Sequence, residues 1–147
     1  MSVVAGVDIR RPRDAAERAA AVDLRIRVFC GEQGVRRHEE FDGRDDDAIH
    51  LVAVTDAAVV GTCRLLFEGA TGKFGRLAVE PRARRRGIGA SLLAAAEREA
   101  RAAGADRMAL NAQARARTLY AAAGYAERGE PFQEAGIEHV RMERLLA

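Results

Sequence analysis

Between Ile88 and Ala103 the apolar positions recur at helical spacing. Ile88, Leu92, Ala95, Ala96 and Ala103 share one face with Glu99. Glu97, Arg98 and Arg101 are assigned to water, with Glu97 and Arg101 in the favourable i, i+4 order. Gly104 supplies the left-handed residue that commonly closes a helix. Before this segment the period falls to two. His50–Thr55 and Val59–Phe67 are β-rich runs around a polar turn at Asp56, which predicts a hairpin. Gly72 and Gly75 accompany a third strand, at about Lys73–Val79, ending before Pro81. After the helix come a strand at Arg107–Ala112, a short helix at Ala114–Ala123 stopped by Gly124, and two closing strands at Tyr125–Arg128 and Glu138–Leu145. At the other end, Val7–Arg11 reads as a short strand closed by Pro12. Asp14 is a helix cap, with Glu17 three residues on. Val22–Phe29 alternates like a strand, but the alanines before it favour helix, the reading adopted. Cys30–Asp47, with three glycines and many charges, reads as irregular. Strands in a run, followed by strand and helix in alternation, imply a mixed α/β sheet with helices on its faces.

A chain of 147 residues fits one domain, 1–147, with one substantial core. Hydrophobic residues at 48% and charged residues at 31% are globular proportions, and exclude disordered or fibrous classes. The net charge of +2 says little about partners, but five arginines fall within residues 76–86. Cys30 and Cys63, far apart in a chain without a visible secretory leader, read as reduced thiols of a cytoplasmic protein. No run approaches the roughly 20 apolar residues of a spanning helix, so no membrane partner is expected. Metal-ligand spacing is unconvincing, and no metal is expected.

Chemistry concentrates in Leu77-Ala78-Val79-Glu80-Pro81-Arg82-Ala83-Arg84-Arg85-Arg86-Gly87-Ile88-Gly89-Ala90. A strand ends, a basic loop follows, and two glycines open a helix. The first turn of a helix exposes unpaired N–H groups and the positive end of the dipole. Glycines let a phosphate approach the backbone, and arginines add charged donors. A P-loop needs Lys-Ser/Thr after its second glycine, where Ala90-Ser91 stands. The dinucleotide pattern G-x-G-x-x-G fails at Leu92. The pattern Arg/Gln-x-x-Gly-x-Gly/Ala is met by Arg84, Gly87 and Gly89. A solvated basic loop or a nucleic-acid patch is the alternative, weakened by the lack of interleaved aromatics.

With its flanks, this string resembles the pyrophosphate-binding signature of the GNAT (GCN5-related) N-acetyltransferases. Ala116-x-x-Leu119-Tyr120-x-x-x-Gly124-Tyr125 resembles a second string of that superfamily. Val28-Phe29-Cys30-Gly31-Glu32-Gln33, Glu39/Glu40, Asp42-Gly43-x-Asp45, His50 and the ending Phe132-x-Glu134-x-Gly136-Ile137-x-His139-x-x-Met142 resemble its ElaA-like branch, over nearly the whole chain. That branch usually has His-Ala-Gln at the end of its fifth strand, whereas Asn111-Ala112-Gln113 stands here.

The resemblance implies a mixed, mostly antiparallel sheet of six or seven strands with helices on both faces, splayed at a cofactor cleft. It implies acetyl-coenzyme A as co-substrate and an amine, on a small molecule or peptide, as acceptor. Leu77, Ala78 and Val79 would meet the pantetheine arm, with the Val79 N–H on the thioester carbonyl. Arg84, Arg85, Arg86, Gly87, Ile88, Gly89 and Ala90 would hold the pyrophosphate, and Gln113 would reach a cofactor amide. Tyr120 stands where the family keeps the acid for the departing thiolate. A phenol titrating near 10 can protonate a thiolate titrating near 8.5.

An amine near pKa 10.4 is almost fully charged at neutral pH, so a base is expected. Glu32, in the substrate-facing segment, is the candidate. His50, Arg64, Asn111 and His139 are further candidate acceptor contacts, and Asp42–Asp47 is either a solvated loop or a patch for a cationic acceptor. A coenzyme A-binding regulatory module without turnover is the alternative function, and a nucleic-acid-binding protein a less favoured one. A homodimer stays open.

Overall fold

The computed structural model describes residues 4–146. Its strands are β1 (Asp8–Arg10), β2 (Ile49–Thr55), β3 (Ala58–Glu68), β4 (Thr71–Val79), β5 (Arg107–Gln113), β6 (Ala126–Glu134) and β7 (Ile137–Leu145). They form one seven-stranded sheet in the order β1-β2-β3-β4-β5-β7-β6, antiparallel at every junction except β4–β5. The helices are α1 (Ala15–Arg25), α2 (Arg37–Glu40), α3 (Ile88–Ala102) and α4 (Arg117–Ala122). This is the α/β architecture that the sequence pattern implies.

Period two along β2 explains the layering. Leu51 and Ala53 join Ile88, Leu92 and Ala96 of α3 in the main core, while Val52 and Val54 pack with Ala21 of α1. Alternate residues of a strand face opposite ways, so α1 and α3 cover opposite faces of the sheet. The Asp56–Ala57 turn has both central residues at positive φ (49° and 62°), the twist that suits a two-residue hairpin.

Gly61 on β3 lets α3 sit close. A Cβ there would lie 2.9 Å from Ile88 Cγ2, 3.1 Å from Leu92 Cδ1 and 3.3 Å from Ala53 Cβ. Gly61→Ala should therefore cost about 1–3 kcal/mol by overpacking, read as a lowered urea midpoint. An unchanged midpoint would show that helix and sheet can move apart freely.

Asp14 caps α1, its carboxylate accepting from the Glu17 N–H at 2.9 Å, while Glu17 accepts from the Arg13 N–H at 2.7 Å. The strand-like alternation of Val22–Phe29 has a helical explanation. α1 passes into a π-helical stretch, Ile26–Glu32, and the buried residues are Leu24, Arg25 and Val28. Arg25 is the polar residue that breaks the helical pattern. It is 2% exposed, forked onto Glu40 (3.0 and 3.0 Å) and bonded to Asp45 at 3.0 Å.

Glu97 corrects the reading of α3. It is buried rather than wet, accepting from Tyr125 Oη at 2.7 Å and from Arg144 at 2.9 Å instead of pairing with Arg101. Ala103, placed inside by the pattern, is exposed at the helix end. The helix expected at Ala114–Ala123 divides into a 3-10 turn, Ala114–Ala116, and α4. β6 runs six residues past Arg128. All nine of its residues are exposed, and its register breaks between Arg128 and Phe132, around Gly129 and Pro131. Among the described residues no helix is long and apolar enough to cross a membrane.

Candidate active site at the split between β4 and β5

β4 and β5 pair only through Thr71–Lys73 and Arg107–Ala109. Beyond that point β4 stays with β3 and β5 stays with β7, so the sheet opens into a wedge. A bulge marks the opening. Thr62 faces Ala78 but Arg64 faces Gly75, so Arg76 and Leu77 together oppose Cys63. Arg76 takes the left-handed conformation, φ 53°. Its side chain holds the Glu40 carbonyl at 2.9 Å and the Glu40 carboxylate at 3.1 Å.

The register also aims a donor. The Glu80 N–H bonds Val60 O at 2.8 Å, making Val60 and Glu80 a hydrogen-bonded pair. Val79 and Gly61, the next pair along, are then non-hydrogen-bonded, and the Val79 N–H and C=O point away from β3 into the wedge. The Val79 carbonyl accepts from Arg84 Nε at 2.9 Å.

After β4 the chain makes a 3-10 turn, Pro81–Ala83, and enters α3 through Gly87 at φ 85°. Gly87 carries no capping side chain, and the Ser91 N–H is the first to bond back, to Gly87 O at 3.0 Å. Among the described residues, the N–H groups of Ile88, Gly89 and Ala90 thus have no backbone acceptor. Gly89 sits between the two sides of the opening: a Cβ there would touch Leu77 at 3.6 Å and Leu119 at 3.7 Å. Arg85 and Arg86 are exposed, while Arg84 forks onto Glu32, with both bonds at 2.7 Å.

Tyr120, on α4, packs edge-on to Phe74 (6.2 Å) and Tyr125 (6.1 Å). Burial, with a smaller effect from Cys63, pushes its phenol above the ordinary range. Its hydroxyl has no hydrogen bond within the described residues, yet no buried polar side-chain atom there lacks a partner. Its Oη therefore reaches the protein surface. Cys63 is pushed strongly up by burial, which leaves it a packing thiol, and Cys30 is unpaired and half-buried.

On the far side of the wedge lies a cavity of about 350 Å³, lined by Glu32, Gln33, Gln113, Ala114, Arg115, Ile137 and Glu138. Gln113 Nε2 donates to Gln33 Oε1 at 2.8 Å, seating the π-helical segment on the end of β5. The Arg84 guanidinium holds the Glu32 carboxyl below its ordinary range. His139 faces Gln113 across β5 and β7, donates from Nδ1 to Ile137 O at 2.7 Å, and stacks on Phe132. Asn111 Nδ2 donates to Glu134 at 3.2 Å. Glu32, Gln113 and, through its neighbours, His139 thus come together.

His50 and Arg64 do not join them. Arg64 is 5% exposed and spent on Asp42 (2.8 and 2.8 Å) and Asp45 (3.1 Å). His50 donates from Nε2 to Asp45 O at 2.7 Å and is kept neutral by burial, on a separate cavity beside Arg11 and Arg18. Both sit in the ion network under α1, which also absorbs Asp42 and Asp45 of the acidic run. That network, away from the cavity beside Gln113, is where the structure places both residues. Sequence reasoning missed Arg115, Ile137 and Glu138 as cavity walls, because nothing local marks residues that meet only across β5 and β7. Among the described residues no cluster of His, Cys, Asp and Glu has the makings of a metal centre.

A wedge in a mixed sheet, with a helix start and a backbone donor at its mouth, can take an extended ligand that carries phosphate. Residues 17–146 match the family model described as Acetyltransferase (GNAT) domain, and the chain belongs to that family. It is 34% identical to the uncharacterized N-acetyltransferase YjcF of Bacillus subtilis over 120 residues, 81% of this chain and 86% of that one. An N-acetyltransferase structure from Lactobacillus plantarum superposes with a TM-score of 0.88 at 30% identity, covering 97% of this chain and 99% of the other. Escherichia coli ElaA shares the fold, with a TM-score of 0.80 at 24% identity over 94% and 97% of the two chains.

Proposed function

We propose that the protein transfers an acetyl group from acetyl-coenzyme A to an amine by direct attack. The observation that carries this reading is the Val79 N–H turned into the wedge, together with the N–H groups of Ile88, Gly89 and Ala90, which have no backbone acceptor among the described residues. The helix start suits a diphosphate, and the strand edge suits a chain of amides. The same fold is seen with coenzyme A in an aminoglycoside 6'-N-acetyltransferase, at 16% identity and a TM-score of 0.78, which supports the choice of co-substrate.

Each residue then has a task set by its position. The Val79 N–H donates to the carbonyl oxygen as negative charge develops there, a contribution of the oxyanion-hole type. Tyr120 keeps its proton at neutral pH and delivers it to the departing thiolate. Glu32 and Glu138 face the cavity from which the amine arrives, and Glu32 is the carboxylate assigned to its proton. The exposed Arg85 and Arg86 add charge for the phosphates. A cytoplasmic setting fits the unpaired cysteines.

Gly89 gives the test. Alanine fits, since its Cβ would meet only ordinary contacts, whereas Gly89→Val adds two methyl groups between Leu77 and Leu119. Coenzyme A binding by calorimetry should weaken at least about tenfold, about 1.4 kcal/mol. Unchanged affinity in folded Gly89→Val would overturn the cofactor assignment. Release of free thiol only in the presence of an amine separates turnover from a regulatory binding role.

A further inference from the structure

We infer that Glu32 is an internal stand-in for the cofactor's phosphate, latched onto Arg84 in the free protein and released toward the acceptor cavity when coenzyme A binds. The inference rests on the acyl-transfer reading of the same site and adds a switch to it.

The geometry of Arg84 points this way. Its Nε is fixed by the Val79 carbonyl at 2.9 Å, so the planar guanidinium has one orientation. Its two remaining nitrogens form a fork, and Glu32 fills that fork with two bonds of 2.7 Å. Carboxylate and phosphate present the same paired oxygens to such a fork. Arg84 stands three residues before Gly87, at the loop leading to the N–H groups of the first turn of α3. A diphosphate at that helix start meets both the fork and the helix dipole, whereas Glu32 meets the fork alone. The exchange therefore favours the more highly charged ligand.

A second ion pair sets what moves. Arg27, on the same π-helical segment, bonds Glu80 at 2.7 and 2.9 Å. Two pairs of opposite polarity, Arg27–Glu80 and Glu32–Arg84, tie the segment across the end of β4. Loss of the second leaves the first, together with the Gln33–Gln113 bond, as anchors. Glu32 already lines the cavity with Gln33, Gln113 and Glu138, so a change of side-chain rotamer suffices to turn its carboxylate inward. Once away from Arg84 and beside a phosphate, it loses the charge that holds its pKa down. It becomes a stronger base at the moment an amine needs one. Without coenzyme A, the cavity presents Glu32 already neutralised and attracts a cationic acceptor less.

Coenzyme A itself is the probe. E32Q should bind it roughly two- to fivefold more tightly than the parent at low salt, the scale of an exposed ion pair, and the gap should close as salt rises. In the parent, the Glu32 carboxyl, followed by carbon-detected magnetic resonance, should titrate below the usual range alone and move upward on saturation with coenzyme A. Equal or weaker binding by E32Q, or a Glu32 titration indifferent to coenzyme A, overturns the latch and leaves acyl transfer standing. Failure of the parent to bind coenzyme A at all overturns both.

Discussion

Replacing Arg25 with alanine should destabilise the protein by about 3–5 kcal/mol, because it strips the forked partner from a buried carboxylate, leaving it Arg76 alone, and opens a void. Arg25 and Glu40 are each 2% exposed and bonded through both guanidinium nitrogens that face the acid. Asp45 bridges Arg25 to Arg64, and Asp42 bridges Arg64 to Arg76 on the bulge of β4. One network thus joins α1, the loop after α2, β3 and the mouth of the wedge. Chemical denaturation of Arg25→Ala, Glu40→Ala and the double variant forms a cycle. The double loss should be under the sum of the singles, since each single change takes the forked partner from the other charge and leaves it one ion pair, Arg76 for Glu40 and Asp45 for Arg25. Additive losses would show that the pair acts as separate packing groups. Acid should not mimic the mutation near neutrality. The fork from Arg64 holds Asp42 far below the ordinary carboxylate range, so its stabilisation is fully present above about pH 4 and fades only as pH falls toward that depressed value.

Tyr120→Phe should cut the chemical step by about 10²-fold while leaving the fold and coenzyme A affinity nearly unchanged. The substitution removes one oxygen that has no hydrogen bond within the described residues, and it keeps the edge-on contacts with Phe74 and Tyr125. Single-turnover measurement with coenzyme-bound protein and an amine acceptor is required, because slow product release would hide the loss in kcat. Burial raises the phenol, so the alkaline limb due to its ionisation lies above pH 10, and the profile through pH 9 reports other groups. A Tyr120→Phe protein that turns over at the parent rate makes Tyr120 a packing residue, with the thiolate leaving through water.

Local pattern carried the elements whose period is clean. α3, the β2–β3 hairpin and the basic turn into Gly87 could all be read because their side chains repeat every 3.6 or two residues, or because a glycine pair opens a helix. Where a polar residue is buried by a distant partner, the pattern misleads. Glu97 looks like a wet position until Tyr125 and Arg144 arrive from 28 and 47 residues away. Arg25 looks like the polar half of a strand until Glu40 closes on it. The basic turn before α3 was legible in the sequence, but the side chain that meets Arg84 was not. Glu32 lies 52 residues earlier, and only the π-helical turn brings it across β4. The cavity walls at Ile137 and Glu138 follow a two-residue turn at Ala135–Gly136, hidden in a segment whose exposed residues give no apolar alternation.

β6 is a free sheet margin, and its composition bears on how this protein behaves when crowded. A nine-residue margin with open backbone groups invites a second chain to dock strand upon strand. Here the invitation is withdrawn at several points. Pro131 offers no N–H, the register break at Gly129 bends the ribbon, and Glu127, Arg128, Glu130 and Glu134 place charge along it. A neighbouring copy approaching that margin would meet missing donors and like charges, so fibrous stacking is discouraged there.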